Sequence, residues 1–258
     1  MLSYQHMYHA GGLADVHKHI LLARALAHLT KDASAVVYTE THSGRGRYYL
    51  DSPSAQKTGE AAKGIVRLLA ERKIGKDEPF LRALSAIQKP NPRVYPGSPL
   101  LAATMLREQD QLWFWELHPR EHGWLDRLFQ PDSRVRVSHA DGQVGLPLKL
   151  PPRAPDPMRG MVLIDPSYEV KAEYDSLPGF VDRLRRRWPE GAGLLWYPML
   201  PAGRHEFLRE AILTNHPDTQ INELTWASPS DGRGLYGSGV AYWGLETENL
   251  TRPAFKVS

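Results

Sequence analysis

Apolar residues near the start of the chain recur at helical spacing. Val16, Ile20, Ala23, Leu26 and Ala27 fall on one face and leave Lys18, Arg24 and Lys31 off it, which predicts a helix capped by Asp15 and running to about Leu29. The pattern then shortens to a continuous β-prone run, Ala35-Val36-Val37-Tyr38-Thr39-Glu40, that ends at Thr41-His42-Ser43-Gly44-Arg45-Gly46. An apolar run of that length reads as a buried parallel strand feeding a glycine loop. Similar runs follow at 112–116, 135–138, 161–165 and 193–197, with helical stretches near 120–129, 173–188 and 202–214 between most of them. Alternating strands and helices predict an α/β fold, a doubly wound Rossmann-like sheet that is mostly parallel. Segments 219–227 and 239–246, joined by Ser228-Pro229-Ser230-Asp231-Gly232, read as a terminal antiparallel hairpin. From about 50 to 95 the sequence turns polar, Lys-rich and helical, too long for one crossover, and predicts an inserted helical subdomain within a single domain spanning 1–258. Pro151-Pro152-Arg153-Ala154-Pro155-Asp156-Pro157 predicts a stiff loop before a strand.

Composition narrows the function classes. Of 258 residues 41% are hydrophobic and 24% charged, and 21 Pro with 21 Gly imply many turns. The absence of Cys excludes thiol redox chemistry, a disulfide framework and a thiolate metal site. No run approaches the roughly 20 apolar residues of a membrane span, and the first residues lack a basic-then-apolar signal pattern, so a cytoplasmic enzyme with no membrane partner is expected, as a monomer. A net charge of +3 suits a phosphate-bearing partner but changes little alone.

In a doubly wound sheet ligands gather beyond the carboxyl ends of the strands. There this sequence places Glu40, His42, Gly44 and Gly46, then Glu116 and His118, then Asp141-Gly142, then Asp165-Pro166. Gly44-Arg45-Gly46 is too short for a dinucleotide fingerprint. An acid after the second strand can accept both ribose hydroxyls and Asp141 an adenine amine, which together describe an adenosine without phosphate. Glycines in the first loop admit a cationic sulfonium cofactor, and His19 and His42 are candidates to hold its carboxylate. Singly, Glu116 and Asp141 read equally well as helix caps or solvated loop carboxylates; their order along successive strands favours the site. Asp165-Pro166-Ser167-Tyr168 combines a carboxylate, a rigid carbonyl and an aromatic ring, an arrangement that grips an amine and stacks on its base. A plain turn with Tyr168 in the core is the competing reading.

Tyr4, His6, His9, His17, Lys18 and His19 crowd the N-terminal segment. Without a well-spaced third ligand no metal is expected, and Tyr4, His6 and Lys18 suit contact with a nucleic-acid base or phosphate. Basic residues gather again in 183–187 and in the insert, through Lys57, Lys63, Arg67, Arg72, Lys73 and Lys76, with solvated helix faces as the ordinary explanation.

Taken together, Met1-Leu2-Ser3-Tyr4 with His6 and His9-Ala10-Gly11, Ala14-Asp15-Val16 with Lys18-His19, Thr41-His42-Ser43-Gly44, Tyr95-Pro96-Gly97-Ser98-Pro99, Glu116-Leu117-His118-Pro119, Ala140-Asp141-Gly142 and Leu163-Ile164-Asp165-Pro166 resemble the bacterial 23S ribosomal RNA adenine-N6 methyltransferases of the RlmJ type over nearly the whole chain. The resemblance implies a class I methyltransferase sheet with a helical insertion, S-adenosyl-L-methionine as cofactor, and N6-methylation of adenine 2030 in 23S rRNA. It also implies cofactor binding by His19, His42, Ser98, Glu116, Asp141, Gly142 and Asp165, catalysis by Asp165, Pro166 and Tyr168, and RNA contact by Tyr4, His6 and Lys18. The family loop reads Asp-Pro-Pro-Tyr, whereas Ser167 stands here; since the essential carbonyl belongs to Pro166, activity is expected to survive. Glu40 and Arg45 also depart from the family pattern. A DNA or small-molecule N-methyltransferase, or a non-catalytic RNA-binding or ribosome-assembly factor on the same fold, are the alternatives.

Overall fold

A computed structural model describes residues 6–152, 159–229, 234–245 and 248–257. A 3-10 turn at His6–Tyr8 precedes α1 (Leu13–Leu29), β1 (Val36–Glu40) and β2 (Arg47–Tyr49). The chain then forms α2 (Pro53–Thr58), a π-turn (Ala62–Val66), α3 (Arg67–Ala70) and α4 (Pro79–Gln88) before β3 (Val94–Pro96) pairs antiparallel with β2. There follow α5 (Ser98–Met105), β4 (Gln111–Trp115), α6 (Pro119–Phe129), β5 (Val135–Ser138), α7 (Gly142–Gly145), β6 (Arg159–Ile164), α8 (Glu173–Arg187), β7 (Ala192–Met199), α9 (Arg204–Asn215), β8 (Gln220–Thr225), β9 (Gly237–Trp243) and α10 (Glu248–Thr251).

Seven strands form one sheet in the order β5-β4-β1-β6-β7-β9-β8. The first five are mutually parallel, and β9 runs antiparallel between β7 and β8. The doubly wound, mostly parallel sheet expected from the sequence is thus present, with its antiparallel hairpin at one edge. Of the segment expected to join that hairpin, Ser230 to Gly232 lie outside the described residues, as do Arg153 to Pro157 of the proline-rich loop.

Strand pleating divides the core. Val36 and Tyr38 face the layer containing α1, while Val37 faces the layer containing α8, because successive side chains point to opposite faces. Ile20, Leu21, Leu22 and Leu26 of α1 are fully buried, each contributing on the order of 1.5–3 kcal/mol by leaving water. The helix is covered on its other sides too, so that His17, Lys18, His19 and Arg24 are also buried. Its cover comes from the π-turn, α4 and α10. Arg24 survives burial because Glu78 on the α4 side accepts from its Nε at 3.0 Å and carbonyls of 249, 252 and 253 take its remaining donors.

One local expectation changes. Asp15 does not cap α1: Gly12 is the cap, and Asp15 lies in the first turn, where its Oδ2 accepts from the Gly11 N–H at 3.1 Å. The left-handed turn at Gly11 (φ 78°) starts the helix earlier than the apolar pattern does. The helices between β2 and β3 share one core with α1 and α5 through Ile65, Leu68, Phe80 and Leu84. At Gly64 an added Cβ would lie 2.1 Å from the Gly11 carbonyl; the bare position lets the N-terminal segment cross at backbone distance, with the Ile65 N–H donating to Gly11 O at 2.8 Å.

Candidate functional site

The carboxyl ends of β1, β4, β5 and β6 open into a cleft of about 1030 Å³, its mouth included. His6, His19, His42, Ser98, Glu116, Asp141, Gly142, Asp165 and Pro166 all line it. Tyr4 lies outside the described residues.

One half of the cleft presents acceptors held by backbone. Glu116, just past β4, accepts from the N–H groups of Gly44 and His118, both at 2.7 Å. Burial raises its pKa against the opposing pull of those two donors. Asp141 caps α7, accepting from the Gln143 N–H at 2.8 Å, and lines the cleft as well. Gly142 has no room for a side chain: a Cβ would lie 2.4 Å from the Thr41 carbonyl. The loop after β1 and the start of α7 therefore meet backbone to backbone.

The other half is built on β1, α1 and α5. Glu40 is fully buried, accepting from Tyr38 at 2.6 Å and from Ser98 at 2.9 Å. Burial pushes its carboxyl up to about 8, against those two hydrogen bonds. Ser98 is thereby held by Glu40 at the wall of the cleft. His19 is bound to the Tyr95 hydroxyl at 2.9 Å and His42 to Thr41 at 2.7 Å. Burial lowers the two imidazoles to about 3 and about 4 respectively, so both are neutral at physiological pH. Ser43 Oγ is buried beside them without a partner; an unmet hydroxyl in a polar cleft indicates a group that binds there.

At the β6 end, Asp165 Oδ2 receives the Lys18 ammonium at 2.5 Å, and the same ammonium sits 3.0 Å from Asp15 Oδ1. Burial would discharge Lys18, but Asp165 and Asp15 outweigh it and raise its pKa. Burial likewise acts to raise the Asp15 carboxyl, yet His6 and Lys18 hold it well below the usual range. Lys18 is only 4% exposed. It therefore orients Asp165 from beneath, deeper than a phosphate on the surface of the protein would reach. His6 is bound to Asp15 at 3.1 Å and lies against the Tyr48 ring at 5.1 Å, at the cleft wall.

Tyr168 is turned away from the cleft. Its hydroxyl donates to the Trp196 carbonyl at 2.6 Å and its ring lies against Tyr174 and Trp196. Its backbone adopts φ 57°, a left-handed conformation costing a non-glycine residue on the order of 1 kcal/mol. The ring is thus not presented for base stacking in this arrangement; the core position that competed with stacking in the sequence is the one observed. Ser167 and Pro166 remain at the surface of the cleft.

Several participants carried no clear sequence signal. Tyr48 lines the cleft, and only the exposed, buried, exposed alternation of β2 marks it as inward. Trp196 read as an ordinary strand residue. Its indole lies 5.5 Å from the Lys18 ammonium, and its Nε1–H donates to Ser238 Oγ at 2.9 Å. Asn222 Oδ1 can only accept, so His17 donates to it from Nε2–H at 2.9 Å, and neutral His17 Nδ1 then accepts from the Ser238 hydroxyl at 2.9 Å. Asn222 in turn donates to the Leu250 carbonyl at 2.6 Å. Burial keeps His17 neutral, lowering it to about 4.

Residues 33–250 match the sequence family described as "Ribosomal RNA large subunit methyltransferase D, RlmJ". Two proteins described as "Ribosomal RNA large subunit methyltransferase J", from Escherichia coli K12 and Haemophilus influenzae, are each 37% identical, covering 96% of this chain and 90% of theirs. Among solved structures, protein LPL1258 from Legionella pneumophila superposes with a TM-score of 0.81 at 34% identity, covering 92% of this chain and 86% of that one. The METTL16 methyltransferase domain, at 9% identity and a TM-score of 0.50 over 89% of this chain and 67% of that one, shares the fold.

Proposed function

The chain belongs to the RlmJ family of ribosomal RNA large subunit methyltransferases, and from that premise we propose that it methylates the N6 atom of an adenine in 23S ribosomal RNA, at the position 2030 implied by the family. It is a methyltransferase of ribosomal RNA and its cofactor is S-adenosylmethionine. That cofactor supplies, when bound, a methyl group made electrophilic by its sulfonium.

The cleft suits the cofactor's chemistry. Glu116, its orientation set by two N–H donors, has lone pairs left for the ribose hydroxyls, and Asp141 accepts from the adenine amine. Ser98, held by Glu40, has lone pairs that would accept from the α-ammonium, while neutral His19 and His42 and the unpartnered Ser43 hydroxyl would offer donors to the carboxylate.

The observation that carries the adenine-N6 reading is Asp165, oriented by Lys18, beside the free face of Pro166 on the cleft wall. A carboxylate and a carbonyl both accept from an amine, and two such bonds localise on N6 a lone pair otherwise delocalised into the ring. Reaction then depends on alignment and on electrostatic stabilisation of the attacking amine. The target base must leave its stack to reach this depth. We read residues 50–95 as an inserted subdomain, and the chain as acting alone, since one chain supplies the whole cleft.

Transfer of labelled methyl to protein-free 23S ribosomal RNA, followed by nucleoside analysis, tests the reading. N6-methyladenosine at one site is the expected product. Asp165→Ala should abolish transfer while leaving cofactor affinity within about threefold, an outcome expected of a group acting on the amine alone. Product from DNA but not RNA, or wild-type turnover by Asp165→Ala, would overturn it.

A further inference from the structure

The outer side of α6 carries residues that core packing does not explain. Arg120, Trp124 and Arg127 recur at i, i+4 and i+7 and so share one stripe, beside the buried stripe of Glu121, Leu125 and Phe129. Trp124 is 49% exposed, and the Arg127 guanidinium lies 4.9 Å from its ring centroid. Gly123 leaves the neighbouring surface bare, since a Cβ there would meet nothing but Arg127. Arg45, Arg107 and Arg134 are all ion-paired, whereas among the described residues neither Arg120 nor Arg127 has a carboxylate partner.

β2 repeats the chemistry alongside. Arg47 and the 48% exposed Tyr49 point outward while Tyr48 points into the cleft. Gly46 rests on Leu125 and Leu128 of α6, and Arg47 shares a shallow groove with Leu128. Both elements also begin at the cleft, through Tyr48 and through His118.

We propose that α6 and β2 form a track for single-stranded RNA adjoining the flipped adenine, with Trp124 and Tyr49 stacking on unpaired bases and Arg120, Arg127 and Arg47 neutralising phosphates. The inference rests on the RNA methyltransferase reading and adds where the strand lies. Exposed rings interleaved with guanidinium groups recognise unpaired bases, because bases within a duplex are already stacked on one another.

The test compares wild type with Trp124→Ala, Tyr49→Ala and the double variant Arg120→Ala/Arg127→Ala. Phe207→Ala, which removes a still more exposed aromatic on α9 (75%), is the control. All are surface changes, so the fold is retained. Removing Trp124 should raise KM for 23S ribosomal RNA about tenfold, within the range for loss of one base stack, with kcat and cofactor affinity unchanged. The double arginine variant should lower the slope of log KM against log salt by about 0.7 for each phosphate that is no longer neutralised. Direct binding to a single-stranded oligoribonucleotide should weaken in parallel, and binding to a blunt RNA duplex should not. Variants indistinguishable from Phe207→Ala would overturn the track, and equal weakening on single strand and duplex would overturn its assignment to single strands. If the wild-type protein neither binds nor methylates RNA, the underlying reading fails instead.

Discussion

At the scale of single residues, burial sets protonation here. Glu40 keeps its proton up to about pH 8 while the unfolded chain gives it up in the ordinary carboxyl range. Between those limits the folded state holds more protons, so this group makes stability fall as pH rises. Glu40→Gln retains an acceptor for Tyr38 and gives Ser98 a donor in place of an acceptor. Its unfolding midpoint should decline less than that of wild type between about pH 5 and about pH 8; parallel curves in a thermal melt series would show that Glu40 is ionised throughout. The same burial separates what sequence spacing could show from what it could not. That Asp165, Glu116 and Asp141 follow strands was legible, because strand ends are read from apolar runs. That Lys18 is buried against Asp165 was not, since the cover over α1 comes from the inserted helices and from α10, more than 200 residues further along the chain.

Among the elements, β9 has an effect beyond joining β8 to the parallel strands. Ser238 on this strand links His17 of α1 to Trp196 of β7, and Trp196 touches both Lys18 and Tyr168. Ser238→Ala leaves the Trp196 Nε1–H and His17 Nδ1 unpartnered, a loss of about 1–3 kcal/mol for each group stranded. We expect a lower unfolding midpoint together with reduced kcat at unchanged cofactor affinity. Loss of stability with kcat intact would confine Ser238 to a structural role. The alternation of strands and helices made most elements legible from sequence, yet pairing across more than 200 residues leaves no local periodicity. The same limit applies to Tyr168, whose inward turn depends on the carbonyl of a neighbouring strand, and to α1, whose second buried side becomes apparent only once the inserted helices are in place.

For the molecule as a whole, the buried imidazoles oppose the buried carboxyls. His17, His19 and His42, lowered to about 4, about 3 and about 4, are neutral when folded and take up protons on unfolding once the pH drops below the ordinary histidine range. Their stabilisation is present above about pH 6.5 and is lost as pH falls toward 4, at up to roughly 1.4 kcal/mol per pH unit for each. Glu40, with Glu116 and Glu173 shifted in the same upward direction, acts the other way above the carboxyl range. Stability should therefore peak near neutrality, well below the isoelectric point of about 9.0. Chemical denaturation at several pH values checks this, and a maximum at the isoelectric point would contradict it.

The placement of β9 also sets an order of events during synthesis. Asn222 and Ser238, which orient His17, leave the ribosome more than 200 residues after it, and β9 pairs with β7 on one side and with the edge strand β8 on the other. The five parallel strands precede β9 in the chain, so their cleft residues are synthesised while the Trp196 indole and His17 still lack Ser238. The parallel part of the sheet, with Glu116, Asp141 and Asp165 at its strand ends, is thus complete in the chain before the residues that orient His17 are made.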